Sequence, residues 1–265
     1  MDFPLSSQLV NRLDYVSTTG STNTDLIALA KDRENLSVLV AGHQSAGRGR
    51  ATGRQWIAPE GSSLAISVLL RPTDSANKPL EPNTFGWLPL IAGLAMCRAV
   101  QKFLPSATVS VKWPNDVLVG GHKISGILSE LLPDLSGVVI GAGLNISQTA
   151  EQFPVETATS IAIERGSGEQ LSNDKILAAY LEELVRAFDT FVACGGDAVE
   201  SGLRDQVASV CSSLGRRVRA MMPGDQELTG VGVGIDETGR ILIQPDGERE
   251  LFAVSAGDII HLRHN

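Results

Sequence analysis

The sequence predicts an α+β protein that ends in a small all-β barrel, and three patterns predict it. Short apolar runs bounded by turn residues alternate irregularly with helical periodicities between residues 21 and 193. Gly120-Gly121 sits between two extended runs as a hairpin turn. From about Ser209 the chain changes character, to short alternating runs separated by Pro223-Gly224, Thr238-Gly239 and Asp246-Gly247. A boundary near residue 208 divides the 265 residues into 1–208 and 209–265.

The elements follow in order. Residues 1–20 hold one short apolar run. They leave no room for a winged helix-turn-helix, which needs on the order of 60 residues. Ser21-Thr22-Asn23 precede Leu26, Ile27 and Ala30, so a hydroxyl or amide caps a helix that ends at Lys31-Asp32-Arg33. Ser37 to Ala41 reads as a buried strand, and Ser62 to Arg71 returns as a second after a long Gly/Arg-rich loop. Leu88, Ile91, Ala95, Ala99 and Phe103 recur at helical spacing. Thr108 to Lys112 is a strand broken by Trp113-Pro114-Asn115-Asp116, with Asp116 to Val119 and Lys123 to Leu132 forming the hairpin beyond it. Strict alternation puts Lys123, Ser125, Ile127 and Ser129 on one face of that return strand, and Ile124, Gly126, Leu128 and Glu130 on the other. Val138 to Ile146 contains Gly141-Ala142-Gly143 and Asn145, small residues that suit close approach of a ligand or another backbone. Ser172 to about Ala193 is an amphipathic helix; Ser172-x-x-Lys175 matches a Ser-Lys nucleophile spacing, but its place at a helix start favours capping.

Composition narrows the function. Hydrophobic content of 43% with 20% charged residues is globular. A net charge of −8 supplies no global positive field, which argues against a general nucleic-acid or membrane-surface binder. Cys97, Cys194 and Cys211 are few and widely spaced, as in a reducing compartment, and the four scattered histidines offer no zinc-ligand spacing. The N-terminus lacks a signal-peptide pattern and no run of eighteen apolar residues occurs, so the expected location is cytoplasmic.

The chemistry concentrates in Gly42-His43-Gln44-Ser45-Ala46-Gly47-Arg48-Gly49-Arg50 and the following residues to Trp56. Glycine backbone and arginine together suit an anion. The P-loop pattern fails, because Arg48 stands where its lysine belongs and Gly49 where its Ser or Thr belongs. The dinucleotide fingerprint fails as well, since the glycine after Gly49 comes at 53, one residue late.

Ser21-Thr22-Asn23, Gln44-x-x-Gly47-Arg48-Gly49-Arg50, Lys112-Trp113-Pro114-Asn115-Asp116, Lys123-x-x-Gly126-Ile127-Leu128 and Gly141-x-Gly143-x-Asn145 together resemble the biotin protein ligases, in order and approximate spacing. The resemblance runs from about residue 17 to the final Ser255-Ala256-Gly257-Asp258-Ile259-Ile260. It implies a catalytic domain with a mixed, largely antiparallel sheet flanked by helices, of the biotin/lipoate ligase type, and an SH3-like barrel. It further implies ATP-dependent formation of biotinyl-5′-AMP, with Mg²⁺, and transfer of biotin to one lysine of a biotin carboxyl carrier protein of the acetyl-CoA/acyl-CoA or pyruvate carboxylase type. The enzyme would be a monomer or homodimer of the monofunctional kind, without the DNA-binding module.

By the same resemblance, Ser21, Thr22, Asn23 and Gln44 match positions that bind biotin's polar ring, and Arg48, Gly49 and Arg50 belong to the loop that orders over biotin and the adenylate. Lys123 matches the lysine between the biotin carboxylate and the α-phosphate, making Lys123, Arg48 and Arg50 the catalytic candidates. Lys112, Asn115 and Asp116 resemble the nucleotide side, with Asp116 the metal candidate; Trp56 matches an indole near the adenine; Gly126, Gly143 and Asn145 line the same pocket. Ala51 and Thr52 both intervene before Gly53, where many family members have one residue. The residue types suit the chemistry on their own terms: joining a carboxylate to a phosphate needs fixed positive charge, and an ionised carboxylate needs no general base. Alternatives are a lipoate or octanoate ligase, which would need an apolar acyl tunnel, a non-catalytic biotin sensor, and a DNA-bound regulator.

Overall fold

The computed structural model describes residues 1–50, 53–166, 171–222, 226–255 and 258–262. Ala51 and Thr52, Pro223-Gly224 and Ala256-Gly257, all invoked above, lie outside the described residues. Two sheets carry the fold. The larger has seven strands in the order β1-β2-β3-β7-β6-β5-β4: β1 (Arg12–Thr19), β2 (Ser37–Gln44), β3 (Ser63–Leu70), β4 (Val109–Lys112), β5 (Asp116–Val119), β6 (His122–Leu131) and β7 (Val138–Asn145). All neighbours are antiparallel except β1 and β2, whose parallel pairing sets Arg12 beside Ser37. Sequence reading missed β1. Its residues are mostly half-exposed at the sheet edge, so no clear alternation marks them.

Alternation along the central strands builds two apolar layers. Leu39, Leu69 and Val139 pack with Leu26 and Ala30 around α1 (Thr22–Leu29). Val38, Val40, Ile66, Val68 and Ile140 instead enter the main core with α2 (Leu88–Phe103) and, beyond the short α3 (Ile161–Arg165), α4 (Asn173–Ala193). Covered on both faces, β3 and β7 are buried along all their residues. Among the described residues, no helix is long and apolar enough to cross a membrane.

The second sheet is antiparallel throughout, in the order β11-β10-β9-β8-β12: β8 (Arg217–Met222), β9 (Gln226–Ile235), β10 (Ile241–Pro245), β11 (Phe252–Val254) and β12 (Asp258–His261). Its inward residues Val218, Ile241, Ile243 and Ile259 belong to the same core as α2 and α4. Residue 208 falls inside α5 (Leu203–Val210), whose Leu203 and Val207 join that core too. Two buried indoles stitch the sheets together: Trp87 Nε1 donates to Glu237 O at 2.7 Å, and Trp113 Nε1 donates to Gly239 O at 3.0 Å.

At the start of α4 the expected cap is not made. Ser172 holds the N-cap position, but its hydroxyl makes no capping bond. Asp174 instead accepts from the Leu5 and Ser6 amides, both at 3.0 Å, and from the Ser6 hydroxyl at 2.7 Å, pinning the N-terminal turn. Asp174→Ala strands these donors and should cost about 2–3 kcal/mol in denaturant unfolding.

Beside the inter-sheet junction, His261 Nε2 lies 3.0 Å from Ser213 Oγ, which also accepts the Trp113 amide at 3.2 Å. Burial first, then the charges of Lys112 and Arg216, push the imidazole pKa down from 6.5 to about 4. The ring is therefore neutral in the fold where the unfolded chain already takes a proton, so its contribution to stability is lost as pH falls from about 6.5 to about 4. His261→Asn should flatten the pH dependence of the melting temperature across that window.

Candidate active site

A cavity of about 470 Å³ opens over the centre of the large sheet. Its floor begins at α1. Ser21 is extended (φ −158°, ψ 124°) and caps the helix through the Thr24 amide at 3.5 Å, while also lining the cavity. Thr22 donates its amide and hydroxyl to Gln44 Oε1 at 2.8 and 3.0 Å. Ser67 Oγ lies within hydrogen-bonding distance of Thr22 Oγ1 and Asn23 Oδ1, at 2.8 and 2.6 Å. Asn23 Nδ2 reaches Leu128 O at 3.2 Å and Glu130 Oε2 at 2.8 Å. Capping and lining thus coexist in one buried polar network.

The Gly/Arg loop folds back on itself above this floor. Gly49 donates to Arg54 O at 2.8 Å and Trp56 to Gly47 O at 2.9 Å, with Arg48 bridged to Gln55. This returns Trp56 beneath the loop, against glycines of β6 and β7. A Cβ at Gly143 would lie 2.4 Å from Trp56 Cε2, and one at Gly126 3.4 Å from Trp56 Cζ3. Gly141 makes the same room for Asn23, whose Oδ1 would stand 2.4 Å from a Cβ there. Trp56 Nε1 is buried without a hydrogen-bond partner.

Lys123 reaches the cavity by a departure from strict alternation. The β5–β6 register shifts between Val117 and Leu118, so that Val117 pairs with Ser125 but Leu118 pairs with Lys123. This bulge corrects the expected faces. Ile124 joins Ile127 in the core, and Lys123 comes to the same side as Gly126, where a Cβ would lie 3.1 Å from its Nζ. The Lys123 backbone is fixed by Thr157 O at 2.7 Å and by the Thr159 amide at 2.9 Å. Its ammonium pairs with Asp116 Oδ1 at 2.6 Å, and Arg48 pairs with Glu130 Oε2 at 2.8 Å.

All but one of the site residues that the resemblance assigns line the cavity: Ser21, Thr22, Asn23, Gln44, Arg48, Gly49, Arg50, Trp56, Lys112, Asn115, Asp116, Lys123, Gly126 and Gly143. The exception is Asn145. It is buried off the cavity lining, donates to Thr159 O at 2.9 Å and accepts from Gln148 at 2.9 Å, so its amide serves the segment after β7. Asn115 lines the wall but also clamps the turn to β6, donating to Ile127 O at 2.9 Å. Ser67 and Glu130, and the wall residues Met221, Ile259 and Ile260 from the second sheet, were not singled out. The carboxylate carried a readable signal: Glu130 falls on the same face as Gly126 in strict alternation.

Among the described residues, no Ser–His or Cys–His pair opens on the cavity. Ser213 and His261 meet, but Ser213 is fully buried and engaged at the junction, and burial pushes the Cys97 thiol up to about 11. Among the described residues, no group of three or more His, Cys, Asp or Glu forms a metal cluster.

Known proteins resemble this chain along most of its length. The model of the biotin/lipoate A/B protein ligase family matches residues 15–145, and that of the biotin protein ligase C-terminal domain matches residues 213–262. The biotin–[acetyl-CoA-carboxylase] ligase of Mycobacterium tuberculosis is 35% identical over 95% of this chain and 90% of its own length. The bifunctional ligase/repressor BirA of Escherichia coli is 29% identical over 91% of this chain and 74% of its own. The structure of the biotin protein ligase from Aquifex aeolicus in complex with biotin and ATP superposes with a TM-score of 0.76 at 26% identity, covering 96% of this chain and 100% of that one. With a polar floor, an arginine loop and a lysine meeting in one cavity, and with both family models matched in order, the chain belongs to the biotin protein ligases.

Proposed function

We propose that the chain activates biotin with ATP to biotinyl-5′-AMP and passes the biotin to a lysine of a biotin carboxyl carrier protein. The observation that carries this reading is the meeting of Lys123, Arg48 and Arg50 with the polar floor of Ser21, Thr22, Asn23 and Gln44 in a single cavity. That floor offers hydrogen-bond groups to a ureido ring where an acyl tunnel would need apolar ones. The name of the M. tuberculosis relative and the biotin and ATP in the A. aeolicus structure support it. We assign the chain to the cytoplasm, as a monomer or homodimer, with an acetyl-CoA, acyl-CoA or pyruvate carboxylase carrier as acceptor.

In the first step a biotin carboxylate oxygen attacks the α-phosphorus and pyrophosphate leaves. The carboxylate is ionised near neutral pH, so the protein supplies charge and position and takes no proton. Lys123 faces the oxygens on which charge builds, and Arg48 and Arg50 cover the anion from the loop. Lys112 and Asn115 take the nucleotide side, with the Trp56 indole near the adenine. In the second step the neutral lysine amine of the acceptor attacks the anhydride carbonyl and AMP leaves, which requires no enzyme nucleophile.

Mg²⁺ carried in with ATP would screen the phosphate charge. Asp116, a single carboxylate beside Lys112 and Lys123, fits the mode in which this ion takes one protein oxygen together with phosphates and waters.

Pyrophosphate release by the purified protein, offered biotin or lipoate with and without a carrier domain, tests the reading. Release with biotin and labelling of the carrier is expected; activity with lipoate alone overturns it. Lys123→Ala should lower the adenylation rate by about 10²-fold or more with little change in melting temperature. Gly143→Ala drives a methyl into the indole and should raise the KM for ATP more than it lowers kcat, in steady-state assays.

A further inference from the structure

The geometry points to Glu130 as a positioning residue, a latch that holds the Gly/Arg loop closed by joining Arg48 of the loop to Asn23 of the cavity floor. One oxygen does both: Glu130 Oε2 accepts from Arg48 Nη2 and from Asn23 Nδ2, each at 2.8 Å. The three groups come from the loop, from β6 and from α1, 82 and 107 residues apart in the chain. A second contact, Arg48 Nη2 to Thr24 Oγ1 at 3.1 Å, ties the same guanidinium to α1.

A half-exposed ion pair adds little alone, and the Arg48 side chain is 46% exposed. The shared amide changes that, because Asn23 is only 3% exposed and its polar atoms must find partners inside the protein. With Nδ2 given to Leu128 O and Glu130, Oδ1 is turned toward Ser67. The carboxylate therefore fixes the amide's orientation as well as the loop's position, and whatever steadies Asn23 also steadies the loop.

The chemistry gives such a hold a purpose, on the reading that Arg48 and Asn23 face the adenylate. A mixed anhydride must be kept from water and from bystander amines until the acceptor lysine arrives. Contacts from the loop to the ligand vanish as the ligand is consumed; the contact to Glu130 is made by the protein's own groups and needs no ligand. A carboxylate beside an anion site also repels its ligand, so a mere counter-charge and a latch make opposite demands on its removal.

Glu130→Gln in the full chain tests this, with Glu130→Asp retaining the charge at shorter reach. The latch requires the adenylate formed in place to dissociate roughly fivefold faster from the Gln variant, and the biotin KM to rise more than kcat falls. In the ligand-free protein, trypsin should cut more readily after Arg48, Arg50 or Arg54 at unchanged melting temperature, with the Asp variant intermediate. Slower dissociation from the Gln variant, or unchanged cutting and dissociation together, overturns the latch. If the wild-type protein makes no adenylate, the proposed function fails while the trypsin comparison still decides the latch.

Discussion

The Trp56 indole lies against bare backbone, and much of the site follows from that contact. It can lie there only because Gly126 and Gly143 present no side chain toward the cavity, and it is delivered there only because the loop doubles back at Gly47 and Gly49. At Gly47 a Cβ would stand 2.6 Å from the Trp56 carbonyl oxygen, so the turn under the indole demands glycine as strictly as the strands above it. The loop's arginines and the glycine-bearing strands are thus one construction: the same crossing that seats the indole carries Arg48 to the sheet.

Electrostatically the site is prepared before any substrate arrives. Lys123 and Arg48 each meet a carboxylate, Asp116 and Glu130, at hydrogen-bonding distance. Each cation is held in position without desolvating an unpaired charge, and an incoming anion meets groups that need little reorganisation. This explains how a chain with a net charge of −8 handles polyanionic substrates: the positive charge is local, and its companions are partly neutralised.

Much of the fold and the site was legible, for identifiable reasons. Residues that must be glycine, or must bear charge beside glycine, leave compact motifs, so Gly47, Arg48 and Gly143 could be picked out from the chain itself, whereas Gly126 and Lys123 entered through the family resemblance. The long apolar helices announced themselves by periodicity. The edge strand β1 did not, because half-exposure mixes its pattern. Asn145 was misplaced because a polar residue among small ones in a strand reads alike whether it faces a ligand or ties down the next segment, and here it ties down Thr159 and Gln148. Met221, Ile259 and Ile260 were not read as site residues since ordinary barrel residues become cavity walls only when the second sheet is set against the first. The indoles of Trp87 and Trp113 fix that placement, reaching carbonyls more than a hundred residues away.

The bulge in β6 separates the number of residues between the Gly120-Gly121 turn and Gly126 from the side on which Lys123 lies. Gly120 and Gly121, with φ of +57° and +91°, fix where the strand starts, and Gly126 is fixed by the indole. The intervening stretch holds one residue more than flat pairing with β5 accommodates, and the bulge absorbs that surplus at Ile124 so that Lys123 still faces inward. Deleting Ile124 would flatten the pairing with β5 and leave Lys123 on the side of Gly126, at the cost of the apolar side chain that the bulge turns into the core. In this stretch the length of the strand and the side its lysine occupies are uncoupled: the bulge takes up one residue, buries it, and hands Lys123 to the cavity beside Gly126.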